Sequence, residues 1–182
     1  MRATMKVLPL GNVPDAVLNA IVEELTKLGI KGKVSLPIAL PKESYNPLRH
    51  QFLADAVLMF LLKRFDGRVL GVTNKDLYSD SLNFVFGQAQ LGGRVAVVSI
   101  CRLDPKFYGV AADNRLLIER AVKEATHEVA HMLGARHCDN PECVMAFSNT
   151  IADVDRKSKN LCGRCKTELM LNIRIYDKLK GS

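Results

Sequence analysis

The sequence lacks a run of apolar residues long enough to cross a bilayer. Its longest apolar-rich stretch, residues 52–62, covers about half of the roughly 20 residues that a membrane helix needs, and it includes Asp55. The first residues contain neither the long apolar segment nor the small-residue cleavage site of a secretory signal peptide. Together these absences predict a cytoplasmic protein that does not bind a membrane.

Glycine and proline are also scarce, at 12 and 7 of 182 residues, which excludes a collagen-like or low-complexity chain. Aromatic residues make up 6% of the sequence and do not alternate with the basic residues of the C-terminal segment. Stacked nucleic-acid bases need such aromatic platforms. The net charge of +7 therefore indicates a solvated basic surface and argues against nucleic acid as a partner.

Hydrophobic residues make up 48% of the sequence, and their spacing predicts five strands and four helices. The predicted strands are residues 4–10, 33–40, 68–73, 83–89 and 94–101, and the predicted helices are residues 14–28, 48–65, 113–133 and 165–179. Residues 94–101 are apolar throughout, as in a strand buried on both faces. Residues 83–89 are more mixed and fit a sheet edge.

This order of elements predicts an α/β (α+β) fold with a mixed twisted sheet of about five strands, packed helices and a small C-terminal lobe. The length favours a single domain, residues 1–182. Within it we expect an N-terminal sub-domain, residues 1–133, with the sheet and the long helix predicted at residues 113–133. The remainder, residues 134–182, is rich in cysteine and charge and forms a second sub-domain.

Three of the four histidines lie within eleven residues, in His127-Glu-x-x-His131-x-x-Gly134-x-x-His137. Two histidines four residues apart on a helix lie about 40° apart around its axis, so both imidazoles can reach one zinc ion. Gly134 can adopt a positive φ and end the helix, which lets His137 return as a third ligand. Glu128 is then placed beside a metal-bound water without being a ligand itself.

Two further residues of these types receive no functional role. His50 follows Arg49 at the start of a predicted helix and is interpreted as a structural or surface residue. Cys101 ends the buried strand and is interpreted as a small core residue.

The other four cysteines form a second group, Cys138, Cys143, Cys162 and Cys165. Four thiolates in two pairs suit a closed tetrahedral zinc site, and Gly163 eases the turn within the second pair. Disulfides are the alternative, which a reducing cytoplasm disfavours. Such a zinc site would stabilise a lobe that has few apolar residues of its own.

With Met145 eight residues after His137, this pattern resembles a metzincin, and the cysteines extend the resemblance to the archaemetzincin family. The resemblance implies a catalytic zinc on His127, His131 and His137 and a structural zinc on the four cysteines, two zinc ions per chain. It implies that Glu128 is the general base for a zinc-activated water that hydrolyses peptide bonds. Met145 would form an apolar floor beneath the three imidazoles.

The resemblance also implies an extended peptide or protein substrate that pairs with an edge strand. The best candidate for that strand is residues 83–89, which begin at Asn83 and end at Ala89, and residues 146–151 are expected to line the specificity pocket. Tyr108 or Tyr176 could stabilise the oxyanion, and nothing in the sequence selects between them. We expect the protein to act as a monomer.

Two other hypotheses stay open. A metzincin-like protein could act on a narrow peptide class or a non-peptide amide, with little general proteolysis. Alternatively, the zinc sites could stabilise a binding module with weak or no proteolysis. A purely structural module, however, has no use for Glu128 or for a three-histidine site with an open fourth position.

Overall fold

The structure is a computed structural model that describes residues 4–179, with side chains up to residue 175. The helices and strands are β1 (Thr4–Leu10), α1 (Asp15–Lys27), β2 (Lys31–Val34), β3 (Tyr45–Asn46), β4 (Gln51–Leu53), α2 (Ala54–Arg64), β5 (Val69–Thr73), β6 (Leu77–Ser79), β7 (Leu82–Val85), β8 (Gly87–Ala89), β9 (Val95–Ser99), α3 (Asn114–Met132), α4 (Ile151–Arg156) and α5 (Gly163–Leu179). Within residues 4–179, no helix has both the length and the apolar character needed to span a bilayer.

The main sheet has five strands in the order β2-β1-β5-β9-β8. The first four strands run parallel, and β8 pairs antiparallel with β9 at one edge. All five residues of β9 are buried because both faces of the sheet are covered. Val95 and Val97 pack with α2, whereas Ala96 and Val98 pack with α1 and α3. The predicted mixed α/β fold with a buried central strand is therefore confirmed.

A second, smaller sheet has the order β3-β4-β6-β7 and was not predicted as such. The predicted helix at residues 48–65 is wrong in its first part, because Gln51–Leu53 is a strand and the helix begins at Ala54. His50, just before that strand, is exposed and has a φ of +54°. Residues 51–53 were predicted as helix because the spacing of nearby apolar residues does not reveal a strand partner. Their partner, β6, is distant in sequence.

The predicted edge strand at residues 83–89 is also wrong as a single element. The chain changes sheets at the buried Phe86, so that Leu82–Val85 pairs with β6 and Gly87–Ala89 pairs with β9. Only Gly87–Ala89 lies at the edge of the main sheet. The predicted strand at residues 33–40 is likewise shorter, since β2 ends at Val34.

The long helix α3 is confirmed almost as predicted. The carboxylate of Asp113 accepts a hydrogen bond of 2.9 Å from the backbone N–H of Leu116 and caps its first turn. Nearly the whole second half of the helix is buried against α1 and the strands β8 and β9. This burial fixes the end of α3 that carries the histidine motif beside the free edge of the main sheet.

Candidate active site and metal centres

The end of α3 turns the chain back towards the motif. Gly134 follows the helix with a φ of +90°, a conformation that disfavours any side chain. The backbone N–H of Ala135 donates to the carbonyl of Ala130 at 2.9 Å, which completes a glycine-type helix stop. From α5, the side-chain amide of Asn172 donates to the carbonyl of Leu133 at 2.8 Å. The helix end is therefore held from two sides.

This turn brings the three motif histidines together. The ring centroids of His127 and His131 lie 4.5 Å apart, those of His131 and His137 4.7 Å, and those of His127 and His137 5.3 Å. One ligand nitrogen from each ring lies within 4.8 Å of the other two. The ring of Phe147 packs edge-on against His137 on the outer side. The structure thus places all three predicted ligands at one point.

Two backbone carbonyls orient the first two rings. Nδ1 of His127 lies 2.8 Å from the carbonyl oxygen of Val144, and Nδ1 of His131 lies 2.7 Å from that of Ala135. A carbonyl oxygen only accepts, so each Nδ1 carries the proton and each Nε2 presents a lone pair. The two Nε2 atoms lie 3.0 Å apart. Two lone pairs at this distance repel each other unless a cation lies between them.

The donor set fits a zinc ion. Two nitrogens bound to one tetrahedral zinc at about 2.0–2.1 Å lie about 3.4 Å apart, close to the separation of the two Nε2 atoms. Burial, followed by the charge of Lys157, lowers the pKa of His127 well below its usual range, and burial also lowers the pKa values of His131 and His137. All three rings are therefore neutral near pH 7, as metal ligands must be.

Glu128 lies on the same helix, next to the first ligand, and borders the cleft while only 5% of its surface is exposed. Burial, and then the neighbouring carboxylate of Glu124, raise the pKa of Glu128 well above its usual range, and Lys157 opposes this rise. A carboxyl with a raised pKa holds a proton more readily than an exposed one. Glu128 can therefore both accept and release a proton at this position.

A buried ion pair lies one helical turn before Glu128. The ammonium of Lys157 is 2.7 Å from the carboxylate of Glu124, with 0% and 4% of the two side chains exposed. Lys157 directly follows α4, whose first turn is closed by a capping box between Thr150 and Asp153. Sequence reasoning missed this pair, because a Lys and a Glu more than thirty residues apart look like surface charges.

The four remaining cysteines of the C-terminal segment form a second cluster. Their sulfur atoms lie within 4.8 Å of one another, and the Sγ atoms of Cys138 and Cys162 are 3.8 Å apart. Thiolates on one tetrahedral zinc, with Zn–S bonds of about 2.3 Å, lie about 3.8 Å apart. All four cysteines are free of disulfides. The geometry of the cluster therefore fits a closed tetrathiolate zinc site.

Several N–H groups point at this cluster. The backbone N–H of Cys162 donates to the sulfur of Cys143 at 3.3 Å, and the guanidinium of Arg164 donates to the sulfur of Cys138 at 3.4 Å. A backbone hydrogen bond at Cys165, together with the neighbouring sulfurs, lowers the pKa of Cys162 to about 7. Such donors favour the thiolate form, which is the form that binds metal, whereas burial raises the pKa of the Cys143 and Cys165 thiols.

The two groups of ligands share one short segment of chain. Val144, whose carbonyl orients His127, lies between the cluster residue Cys143 and the buried Met145. The backbone N–H of Cys138 donates to the carbonyl of Met145 at 2.9 Å, directly beside His137 in sequence. The position of the His127 imidazole is thus fixed by the same turn that carries Cys143 of the cysteine cluster.

The histidines and Glu128 open onto a cleft of about 700 Å³. Its lining includes residues 84–89, among them the edge strand β8, and also Phe147, Ser148 and Asn149. Within the described residues Tyr108 does not line this cleft, because its hydroxyl donates to the carbonyl of Arg102 at 3.0 Å. The side chain of Tyr176 lies outside the described residues.

The remaining histidine and cysteine lie away from the cleft. His50 is exposed, with Nδ1 3.2 Å from the hydroxyl of Tyr45. Cys101 is partly buried, and burial raises the pKa of its thiol. Gly87 on β8, which had no role in the sequence interpretation, lies against Glu128. An isolated glycine within a predicted strand was the available signal, since it often marks a close approach.

Comparison with known proteins relates the chain to one family of peptidases. A family model described as peptidase family M54 matches residues 12–171. An archaemetzincin from Pyrococcus furiosus is 45% identical over 179 residues, which cover 93% of each chain. A crystal structure of archaemetzincin from Methanopyrus kandleri superposes with a TM-score of 0.85 at 39% identity, over 95% of this chain and 96% of that one. An Archaeoglobus fulgidus archaemetzincin complexed with malonate gives a TM-score of 0.79 at 37% identity, over 91% and 99%.

Proposed function

Because the chain belongs to peptidase family M54, the archaemetzincins, we propose that His127, His131 and His137 hold its catalytic zinc ion. As a member of that family the protein is a zinc-dependent metallopeptidase that acts on peptide bonds. The observation that carries the ligand assignment is the pair of Nε2 lone pairs facing each other at 3.0 Å, with the buried Glu128 beside them. Nitrogen donors at this spacing, with one position left for water, are typical of a catalytic zinc site.

When bound, zinc supplies a Lewis acid that polarises the scissile carbonyl and acidifies a bound water. Glu128 accepts a proton from the attacking water and later releases it to the leaving amine, as general base and then general acid. Neutral imidazoles leave the charge of the ion uncompensated, because no carboxylate is among the ligands.

We propose that the peptide substrate lies extended along β8. This strand, Gly87–Ala89, is the part of residues 83–89 that lies at the edge of the main sheet. The carbonyl of Phe86 accepts from the backbone N–H of Ser99 at 2.8 Å, and the backbone N–H of Gln90 donates to the carbonyl of Val95 at 3.0 Å. Backbone groups alternate in direction along an antiparallel pair, so those of Gly87 and Ala89 point away from β9. They are therefore available to a substrate strand in the cleft. Phe147, Ser148 and Asn149, which also line the cleft, are the candidates for selecting its side chains.

We assign the second zinc ion of each chain to Cys138, Cys143, Cys162 and Cys165, in a structural role. The closed set of four sulfurs supports this, since it leaves no position for a substrate. Met145, fully buried behind the turn that orients His127, is the proposed floor of the catalytic site and supports placing the protein among the metzincins. Residues 134–182 would then form the zinc-stabilised sub-domain of a single catalytic domain.

Two further proposals concern the working state. The clustering of four cysteine sulfurs at the spacing of metal ligands supports a reducing compartment, the cytoplasm, because oxidation would destroy a thiolate site. We also propose that the active unit is a monomer.

The test is Glu128→Gln, which keeps the size of the side chain but removes the base. We expect the variant to retain zinc content and thermal stability and to lose cleavage of a diverse peptide library. Retained cleavage would contradict the proposed role of Glu128. If wild-type protein with full zinc cleaves no library peptide but hydrolyses a small amide, the narrow-specificity hypothesis replaces general proteolysis. If it hydrolyses neither, the result supports the hypothesis of a zinc-stabilised binding module.

A further inference from the structure

The close approach of β8 to Glu128 depends on a missing side chain. A Cβ atom added to Gly87 would lie 2.6 Å from Cγ and 2.9 Å from Oε1 of Glu128. Carbon atoms in van der Waals contact lie about 3.5–4.0 Å apart, so any side chain at this position would displace the Glu128 side chain. The added atom would also lie 2.9 Å from the carbonyl oxygen of Val97. The backbone conformation of Gly87 itself does not require glycine, since its φ is not positive.

The direction of this contact follows from strand geometry. Successive residues of a strand face opposite sides of the sheet. The side chain of Gln88 lies on the α2 side, where its amide donates to Asp55 at 2.6 Å. Position 87 therefore faces α3, the helix that carries Glu128. Glycine is needed here because the carboxylate side chain lies directly beneath the strand.

We propose that Gly87 is a positioning residue for the peptidase reaction, which sets the location of the Glu128 carboxylate by leaving room for it under the substrate-binding strand. The proposal rests on the proposed role of Glu128 as general base. Two features of Gly87 determine how the substrate and the carboxylate are placed relative to each other. Its backbone groups point towards the bound peptide, and its bare α-carbon admits the carboxylate that must reach the water attacking that peptide.

The contact between Gly87 and Glu128 fixes the distance between the carboxylate and the backbone of the bound substrate. A displacement of about 1 Å at a reacting group can reduce the rate about 100-fold. The contact also explains why Glu128 is only 5% exposed although it borders an open cleft, since β8 lies over it.

The test is Gly87→Ala in the zinc-loaded, full-length protein. We expect kcat to fall about 100-fold with little change in KM and with unchanged zinc content, because the carboxylate moves while the ligands and the strand edge remain. Gly67→Ala is the matched control, since a Cβ atom there meets no atom within 4 Å, and it should keep wild-type kinetics. Full activity of Gly87→Ala would overturn the proposal.

A second measurement separates positioning from packing against Val97. Thermal unfolding should show a smaller loss of Tm for Gly87→Ala in a Glu128→Ala background, where the colliding atoms are gone, than in the wild type. Likewise, Gly87→Ala should not lower the residual kcat of Glu128→Ala any further, because the general base that the added methyl displaces is already absent. Equal losses in both backgrounds, or failure of both Gly87→Ala and its Glu128→Ala double variant to fold, would overturn the proposal.

Failure of the underlying function is recognised separately. If Glu128→Gln retains peptide cleavage, the general-base assignment fails, and the positioning role fails with it. If Glu128→Gln is inactive while Gly87→Ala is fully active, only the role of Gly87 is wrong.

Discussion

The Nε2 atoms of His127 and His131 lie 3.0 Å apart, with both lone pairs directed at the same point. Each ring is held in this orientation by a hydrogen bond from Nδ1 to a backbone carbonyl, of Val144 and Ala135 respectively. Such carbonyl partners fix both the tautomer and the direction of a metal ligand. Both rings thus present Nε2 to one shared position, and this arrangement leads to specific predictions.

The first prediction concerns metal content. His131→Ala should release one of two zinc ions per chain and leave the fold intact, because the cysteine cluster does not involve this ring. Zinc content by elemental analysis and far-UV circular dichroism check both parts. His50→Ala, which removes an exposed ring, should keep both ions. A chain that binds only one zinc in the wild type would contradict the two-site account.

The second prediction is that the thiolate site supports the histidine site. Cys162→Ser should unfold residues 134–182 at least in part and so release the turn that places the carbonyl of Val144 against His127. Loss of such an outer partner weakens metal binding about 10–100-fold. The free zinc concentration at half-maximal activity should rise by that factor or activity should be lost. Cys101→Ser, outside the cluster, should leave it unchanged, and an unchanged value for Cys162→Ser would refute the coupling.

The third prediction addresses the buried ion pair. Lys157→Met leaves the carboxylate of Glu124 buried without its partner and should lower the free energy of unfolding by about 3–5 kcal/mol. Replacing both residues, as in Lys157→Met with Glu124→Leu, should recover most of that loss, because two apolar side chains leave no charge behind. Urea unfolding measures both variants.

Lys159→Met is the matched control for that experiment, because Lys159 is an exposed lysine two residues further on. Its unfolding free energy should stay within about 0.5 kcal/mol of the wild type. A double variant no more stable than Lys157→Met would show that the destabilisation has another origin.

The fourth prediction tests the substrate-binding edge. Ala89→Pro removes a backbone N–H that faces away from β9, so it should raise KM for peptides while zinc content and Tm stay close to wild type. Ala89→Val keeps the N–H and serves as the control, with KM near the wild-type value. Steady-state kinetics with a single peptide distinguish them, and an unaffected KM for Ala89→Pro would argue against pairing at this edge.

The sequence predicted α3 and its histidines because the signals are local. Asp113 caps the helix, apolar residues recur at helical spacing, and Gly134 marks its end, all within about two dozen residues. Spacing of ligands along one helix and one turn determines how they meet in space. The buried strand β9 could be predicted equally well, since its residues are apolar on both faces.

The structural features that the sequence did not predict depend on contacts between residues far apart in the chain. Residues 83–89 change sheets at Phe86 because β6 and β9 offer separate pairing edges, and apolar spacing within the segment cannot distinguish them. Lys157 and Glu124 are charged residues that become buried only once α4 packs against α3. The contact of Gly87 with Glu128 joins a strand to a helix about forty residues away. Such relationships follow from the tertiary structure alone.

The most direct test of the account is a crystal structure of the zinc-loaded protein with anomalous diffraction measured at the zinc absorption edge. It should show one peak between the Nε2 atoms of His127, His131 and His137, with the fourth position held by solvent and Glu128 close by but not coordinated. A second peak should lie among the four cysteine sulfurs. A fourth protein side chain on the histidine-bound ion, or no peak between the imidazoles, would contradict the account.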